Sequence, residues 1–217
     1  MRIETVAVGG PRALSWNGRE VSTSIFKSPV SGPVAVRRHN LDGDRQSDLS
    51  VHGGEYKAVY AYAAEHYDWW KTVLGRELEP ANFGENLTIR GLSEGPVSVG
   101  DVFRMGSAEL EATAPRLPCF KLGLRFGNAR MVRAFADSRR YGAYFRVVTE
   151  GELQAGAPVE RIHADPEGIP VSEIARVTLF DRSDVAMQER LAGHECLDPS
   201  WRAHFREKLE NARRERA

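Results

Sequence analysis

The sequence predicts a mainly β protein with some α-helix, in which a closed or partly closed β-barrel is followed by a small three-helix domain. Residues 1 to about 165 contain many short strand candidates separated by glycine-containing turns. After the segment HADPEGIPVS the pattern becomes helical, and Pro166, Gly168 and Pro170 indicate a linker. We therefore predict a barrel domain over residues 1–168 and a helical domain over residues 171–217.

The strand candidates follow one another in short runs. They are TVAVGG, KAVYAY, NLTIRG, VFRMG and AELEATA, followed by a hairpin over YFRVVTEGELQAGAPVERI. In AELEATA, apolar residues alternate with Glu109, Glu111 and Thr113, which is the period of a strand with one solvated face. This alternation predicts a half-buried strand.

Two helix candidates, AAEHYDWWKTVLG and NARMVRAFADS, interrupt the strands. Three more are predicted in the C-terminal segment: one at VSEIARV, one from about Asp181 to Ala192, and one from about Pro199 onward. Asp198 is the expected N-cap of the last helix, with Pro199 at its first position.

Composition and charge exclude several classes of protein. Thirty basic and thirty acidic side chains cancel, so no net field attracts nucleic acid or an anionic membrane. Residues 171–217 contain nine basic and nine acidic side chains, which argues against a DNA-binding helical module. No apolar leader and no run near 20 apolar residues is present, and the two cysteines form no C-x-x-C. These features predict a cytoplasmic location.

Cys119, in PRLPCFKL, is the first candidate for chemistry. Pro115 and Pro118 restrict the backbone and predict a rigid loop rather than a central strand. Arg116 and Lys121 on either side would stabilise a thiolate. This pattern suits a metal ligand or a nucleophile, and a small core residue is the alternative.

The segment LDGDRQSDLSVHGG contains four possible ligands, Asp42, Asp44, Asp48 and His52. Its spacing does not match an EF-hand loop, so most of these acids are predicted to be solvated turn residues. His52 remains a candidate because it precedes two glycines, where the backbone can approach a ligand closely.

Two weaker candidates are Lys27 with Ser28, which could hold a phosphate, and Asn86 in NFGENLTI, which could hydrogen-bond a heterocycle. The aromatic group from Tyr62 to Trp70 is interpreted as core or interface. No G-x-G-x-x-G, Walker A, H-E-x-x-H or G-x-S-x-G motif occurs. Any redox function would therefore take its electrons from another protein.

Taken in order, the segments FKSPV, DLSVHGGEYKAVYAY, FGENLTIRGL, VSVGDVF, PRLPCFKL and GAYFRVV resemble the successive blocks of a MOSC domain. This module is named after the C-terminus of molybdenum cofactor sulfurases. The chain is most similar to the bacterial YiiM-like proteins, in which three helices follow the barrel. The resemblance implies a MOSC-type barrel, related to the pyruvate kinase barrel, that binds a molybdenum cofactor of the molybdopterin type.

The resemblance also implies roles for individual residues. Cys119 would be the molybdenum ligand, Asn86 would contact the pterin, and Arg116 would serve the phosphate or the dithiolene. Lys27 and Ser28 would lie near the cofactor phosphate. His52 and Lys57 would belong to the pocket wall, with His52 as the candidate proton donor. Amidoxime-reducing relatives carry an arginine where this chain has Gly84.

The implied activity is reduction of the N–O bond of N-hydroxylated compounds, such as hydroxylaminopurines or amidoximes, as in detoxification. A separate flavin reductase would supply electrons and could dock on the helical domain, and a homodimer is expected. The main alternative is a carrier of molybdenum cofactor or sulfur without turnover. A pyridoxal-phosphate protein using Lys27, Lys57 or Lys121 is less favoured because it leaves Cys119 unexplained.

Overall fold

The computed structural model describes residues 1–47, 53–92 and 97–214. Within these ranges the strands are β1 Arg2–Val8, β2 Arg12–Trp16, β3 Arg19–Thr23, β4 Ser28–Pro29, β5 Val34–Arg37, β6 Asn40–Leu41, β7 Val59–Ala63, β8 Leu87–Arg90, β9 Val102–Met105, β10 Ala108–Pro115, β11 Ala143–Thr149, β12 Gly151–Leu153 and β13 Val159–His163. The helices are α1 Glu65–Leu74, α2 Phe120–Phe126, α3 Arg130–Ser138, α4 Val171–Leu179, α5 Val185–Gly193 and α6 Pro199–Arg214, with a 3-10 turn at Glu55–Lys57. The predicted combination of a β-rich body followed by helices is confirmed.

Eight strands form one mixed sheet in the order β13-β9-β10-β11-β7-β8-β1-β4. Its pairs are antiparallel except for β7 and β8, which run parallel. A bridge between Arg2 and Pro158, flanked by a 3.0 Å hydrogen bond from the Ile3 amide to the Ala157 carbonyl, joins β1 to the start of β13. Hydrogen bonds from the Val159 amide to the Met1 carbonyl (2.9 Å) and from the Gly156 amide to the Ile3 carbonyl (2.8 Å) complete this seam. In the described residues the two strands thus meet through a short irregular junction, not through a regular ladder that closes a barrel.

Two of the three residues on the predicted solvated face of AELEATA, Glu111 and Thr113, are buried, which corrects the sequence prediction, whereas Glu109 is partly exposed. Thr113 is fully buried and donates a 2.6 Å hydrogen bond to the Tyr56 carbonyl. Glu111 is also buried and accepts two hydrogen bonds from Arg146, at 2.7 and 2.9 Å. These two polar residues of β10 are therefore hydrogen-bonded by groups of the protein and not by water.

A hairpin of β2 and β3 was not predicted from the sequence. Its two central residues, Asn17 and Gly18, have φ of 51° and 75°. This pair is the preferred sequence of a two-residue hairpin turn, because both positions need positive φ. The Asn-Gly signal was therefore present at residues 17–18 and could have identified the hairpin.

The three C-terminal helices are confirmed, and Asp198 caps α6 by accepting a 2.8 Å hydrogen bond from the Ser200 amide. Ile174 of α4 and Phe205 and Leu209 of α6 belong to the same buried apolar cluster as the sheet. The division of the chain at residues 168 and 171 stays a prediction. In the described ranges, no helix combines the length and the apolar composition that a membrane crossing requires.

Replacing Gly142 with alanine is expected to destabilise the fold by about 2–5 kcal/mol. Gly142 has φ of +68°, and an added Cβ would lie 2.3 Å from the Ala61 carbonyl oxygen. Gly18→Ala is the matched control, because Gly18 also has positive φ but has nothing within 4 Å of the added Cβ. It should cost only about 1 kcal/mol in chemical denaturation. Equal losses would show that the steric contact at Gly142 is relieved at little cost.

Candidate functional site

A cavity of about 560 Å³, counted with its open mouth, lies where β7, β11 and the turn between β10 and α2 meet the segment after β3. Four of the residues predicted to bind the cofactor line it: Lys27, Asn86, Arg116 and Cys119. They come from separate stretches of the chain, and the fold brings them together.

Cys119 lies at the rigid turn that the sequence predicts, immediately before α2, with extended backbone (φ −134°, ψ 166°). Its side chain is partly exposed. The prediction that Pro115 belongs to a loop is wrong, because β10 continues through Pro115, which pairs with Ala143. Proline is tolerated there because the pairing of β10 with β9 ends at Glu111, so at Pro115 the strand has a paired neighbour on one side only.

Arg116 is a buried cation in the cavity wall. Its Cζ lies 5.6 Å from the Tyr60 ring centroid and 5.2 Å from that of Phe135. Burial lowers the pKa of the guanidinium, but the neighbouring Tyr60 and Cys119 raise it above its ordinary value. Within the described chain, the Arg116 Nη1 has no hydrogen-bond partner and no carboxylate forms an ion pair with this side chain. Its positive charge is thus available to an anion in the cavity.

Lys27 forms a buried ion pair with Asp44, which also accepts a 2.9 Å hydrogen bond from the Gly9 amide. Burial lowers the pKa of Lys27, and Asp44 opposes this shift. The prediction that Asp44 is a solvated turn residue is wrong, since only 2% of it is exposed, whereas Asp42 is exposed beside Arg37. Ser28 lies in β4, is exposed, and is not part of the cavity lining.

Asn86 connects two strands at the cavity. Its Oδ1 accepts a 3.1 Å hydrogen bond from the Tyr60 amide, and its Nδ2 donates one of 3.2 Å to the Ala7 carbonyl. Gly84 nearby has φ of +80°, and a Cβ there would lie 2.7 Å from Ile25 Cγ1. Any side chain at this position would therefore be strained and would displace Ile25.

The remaining predicted residues have different placements. Lys57 is not in the lining, and its Nζ lies 3.6 Å from Asp198 Oδ2 at the start of α6. Lys121 does line the cavity and donates a 3.3 Å hydrogen bond to Ser47 Oγ. His52 and Asp48 lie outside the described residues.

Sequence reasoning missed several lining residues, above all Tyr60, Tyr144 and Ser24. The two tyrosine rings lie 5.2 Å apart, and burial raises the pKa of both phenols, so these walls are uncharged at neutral pH. The buried Ser24 hydroxyl has no hydrogen-bond partner among the described residues. No sequence signal identifies these residues, because each lies within an ordinary strand or turn pattern.

Residues 48–160 match the family model of the MOSC domain. The chain belongs to the MOSC domain family. The match includes Asn86, Arg116 and Cys119, whereas Lys27 and Asp44 of the same cavity precede it. In this MOSC protein the cavity is thus completed by the N-terminal part of the chain.

Similar proteins extend the identification beyond the domain. This MOSC protein is 41% identical over 201 residues to the uncharacterized protein YflK of Bacillus subtilis, covering 93% of this chain and 91% of YflK. The crystal structure of YiiM from Geobacillus stearothermophilus matches with a TM-score of 0.81 and 32% identity, over 96% of this chain and 98% of that one. A protein of Gibberella moniliformis named as a reductase is 30% identical over 164 residues, which cover 74% of this chain but 29% of the fungal protein. These similarities support an oxidoreductase of the molybdenum-cofactor type.

Proposed function

We propose that this MOSC protein binds a molybdopterin-type molybdenum cofactor in its cavity and reduces N-hydroxylated small molecules, such as hydroxylaminopurines or amidoximes. Electrons would come from a separate flavin reductase. One observation carries the proposal: Cys119 lines a cavity whose wall also holds the buried guanidinium of Arg116, which no described carboxylate neutralises. The expectations of a cytoplasmic location and a homodimer stay predictions.

The residues of the cavity fit the chemistry of this cofactor. A thiolate is a soft ligand suited to a soft metal centre, so Cys119 would bind the molybdenum. The phosphate and dithiolene of the cofactor are anionic, and Arg116 and Lys121 would balance them, since the charge of Lys27 is already paired with Asp44. The unpartnered Arg116 Nη1 and Ser24 Oγ are buried donors that a ligand in the cavity would satisfy.

When bound, the cofactor supplies the two electrons that cleave the N–O bond and release water. The chain orients the substrate and excludes water from the reacting groups. Tyr60 and Tyr144 suit this task, since their neutral rings form one wall of the cavity beside Arg116. His52 stays the candidate proton donor, although it lies outside the described residues.

The test is the molybdenum content of the protein produced in a molybdate-supplied host that makes the cofactor, measured by mass spectrometry. Wild type should carry molybdenum near stoichiometry, and Cys119→Ser should lose it by more than roughly tenfold, since a direct ligand is removed. Cys196→Ser is the matched control, because Cys196 lies between α5 and α6 and is not in the lining. It should retain the wild-type content.

Equal molybdenum in all three proteins would place the metal away from Cys119 and contradict the proposal. If the metal depends on Cys119, reduction of an N-hydroxylated compound is measured with a dithionite-reduced viologen as electron donor. Turnover supports the reductase. Bound cofactor without turnover would favour the carrier of cofactor or sulfur.

A further inference from the structure

Three arginines lie beside the cavity and have no role in the function proposed above. The first, Arg125 of α2, places its Cζ 5.0 Å from the ring centroid of Phe26, the residue that precedes Lys27 of the lining. Its Nε is buried and has no hydrogen-bond partner in the part of the chain that the structure describes. Arg125 thus presents an unsatisfied donor at the edge of the cavity.

The other two arginines reach the same edge from separate elements. Arg76, just after α1, has its Cζ 6.0 Å from the Phe126 ring, and that ring lies 5.3 Å from Phe83 of the lining. Arg12 is paired in the hairpin with Thr23, which also lines the cavity. We call Arg12, Arg76 and Arg125 the rim arginines.

The rim arginines form no ion pair with any carboxylate of the described residues. Burial lowers the pKa of Arg125, and the nearby charges of Arg12 and Arg76 lower it further, while Glu85 opposes this. Like charges gathered without a counter-charge are unfavourable unless an anion binds among them.

Glu85 does not act as that counter-charge. Its carboxylate is fully buried and accepts hydrogen bonds from the Tyr67 hydroxyl, the Thr88 hydroxyl and the Phe83 amide. Burial raises the pKa of this carboxyl above its ordinary value. Among the described residues it forms no ion pair with a rim arginine, and a single carboxyl group cannot balance three guanidinium groups.

Two of the rim arginines, Arg125 and Arg76, have the chemistry that suits a phosphate. A guanidinium held against an aromatic ring keeps its N–H edge free for bidentate binding of phosphate oxygens. Arg125 follows Cys119 by six positions, which corresponds to a rise of about 9 Å along a helix. This distance is comparable to the separation of the base and the 5′-phosphate in a nucleotide.

We propose that Arg12, Arg76 and Arg125 bind the phosphate of a phosphorylated substrate, so that the protein acts on N-hydroxylated nucleotides. This inference rests on the proposed function and specifies its substrate class. The phosphate-binding chemistry could also serve the phosphate of the cofactor itself. The experiment therefore compares cofactor-loaded with cofactor-free protein.

The test is calorimetric titration of the full-length, cofactor-loaded protein with adenosine 5′-monophosphate and, separately, with adenosine, at low ionic strength. The monophosphate corresponds to the product of reducing an N6-hydroxylated nucleotide. Wild type should bind it roughly tenfold more tightly than adenosine. Arg125→Gln should bring this ratio close to one, and Arg76→Gln should lower it in part.

Arg76 is exposed, so its variant tests the rim even if Arg125→Gln loses its packing on Phe26. Arg213→Gln is the control for loss of one positive charge, because Arg213 lies at the end of α6 and pairs with Glu189. It should keep the wild-type ratio. Circular dichroism verifies that each variant is folded.

Equal affinity of wild type for the two compounds would overturn the inference, as would a preference that survives both arginine substitutions. A preference present only in cofactor-free protein would also overturn it, since the rim would then hold the cofactor phosphate. Binding is measured without turnover, so a reductase that fails this test keeps the proposed function and loses only the nucleotide specificity. If the protein prefers the monophosphate but shows no turnover, the result supports the phosphate site and contradicts the proposed reductase activity.

Discussion

Arg116→Met is expected to reduce the retention of molybdenum several-fold and to change the stability of the cofactor-free protein by less than about 1 kcal/mol. Only 6% of Arg116 is exposed, the side chain forms no ion pair with a described carboxylate, and its Nη1 is unpartnered. Removing the buried guanidinium relieves a desolvation cost, but it also removes the contacts with the Tyr60 and Phe135 rings, so the two effects on stability offset each other. The same removal deprives an anionic cofactor of its counter-charge. Urea denaturation and metal analysis of the same preparations measure the two effects.

The matched control is Arg146→Met, the same substitution at an arginine whose charge is neutralised. Arg146 donates two hydrogen bonds to buried Glu111, so its loss leaves that carboxylate unpaired and should cost about 2–4 kcal/mol. Molybdenum content should be unchanged. If Arg116→Met instead destabilises the protein as Arg146→Met does, Arg116 serves the fold and not an anion.

Phe83→Ala is expected to lower the free energy of unfolding by about 3–5 kcal/mol. Phe83 is fully buried, and its ring centroid lies 4.7 Å from that of Tyr62, 5.4 Å from that of Trp70 and 5.3 Å from that of Phe126. Phe83 belongs to a buried aromatic cluster with Tyr62, Trp70 and Phe135, and it also lines the cavity. Alanine would leave a void in that cluster, because neighbouring rings are too rigid to fill it. Chemical denaturation gives the loss.

Phe180→Ala provides the comparison for this prediction. Phe180 is 39% exposed and contacts the Arg139 guanidinium, whose Cζ lies 4.5 Å from its ring centroid. Loss of an exposed ring with one cation contact should cost less than about 1 kcal/mol. Similar losses for the two variants would mean that the cluster around Phe83 repacks, and would contradict the predicted void.

Local patterns in the sequence predicted most of the elements correctly, because period and capping chemistry act over a few neighbouring residues. The Asp198 cap and the alternating strand of β10 are examples. The same alternation misplaced Glu111 and Thr113 in water, since their partners Arg146 and Tyr56 are distant in sequence. Period reveals that two faces differ, but the tertiary structure decides what covers each face.

The sequence by itself determined the family, through the order of its short blocks. It also identified Cys119 as a candidate site residue, because two prolines and two cations surround it. The sequence also named Lys27, Asn86 and Arg116 as candidates, and all three line the cavity with Cys119. Only the tertiary structure decided that Lys57 faces Asp198 and that Asp44 neutralises Lys27. It alone gathers the rim arginines from three parts of the chain. The physical reason is that charge balance and desolvation depend on distances through space, which neighbouring letters in a sequence do not encode.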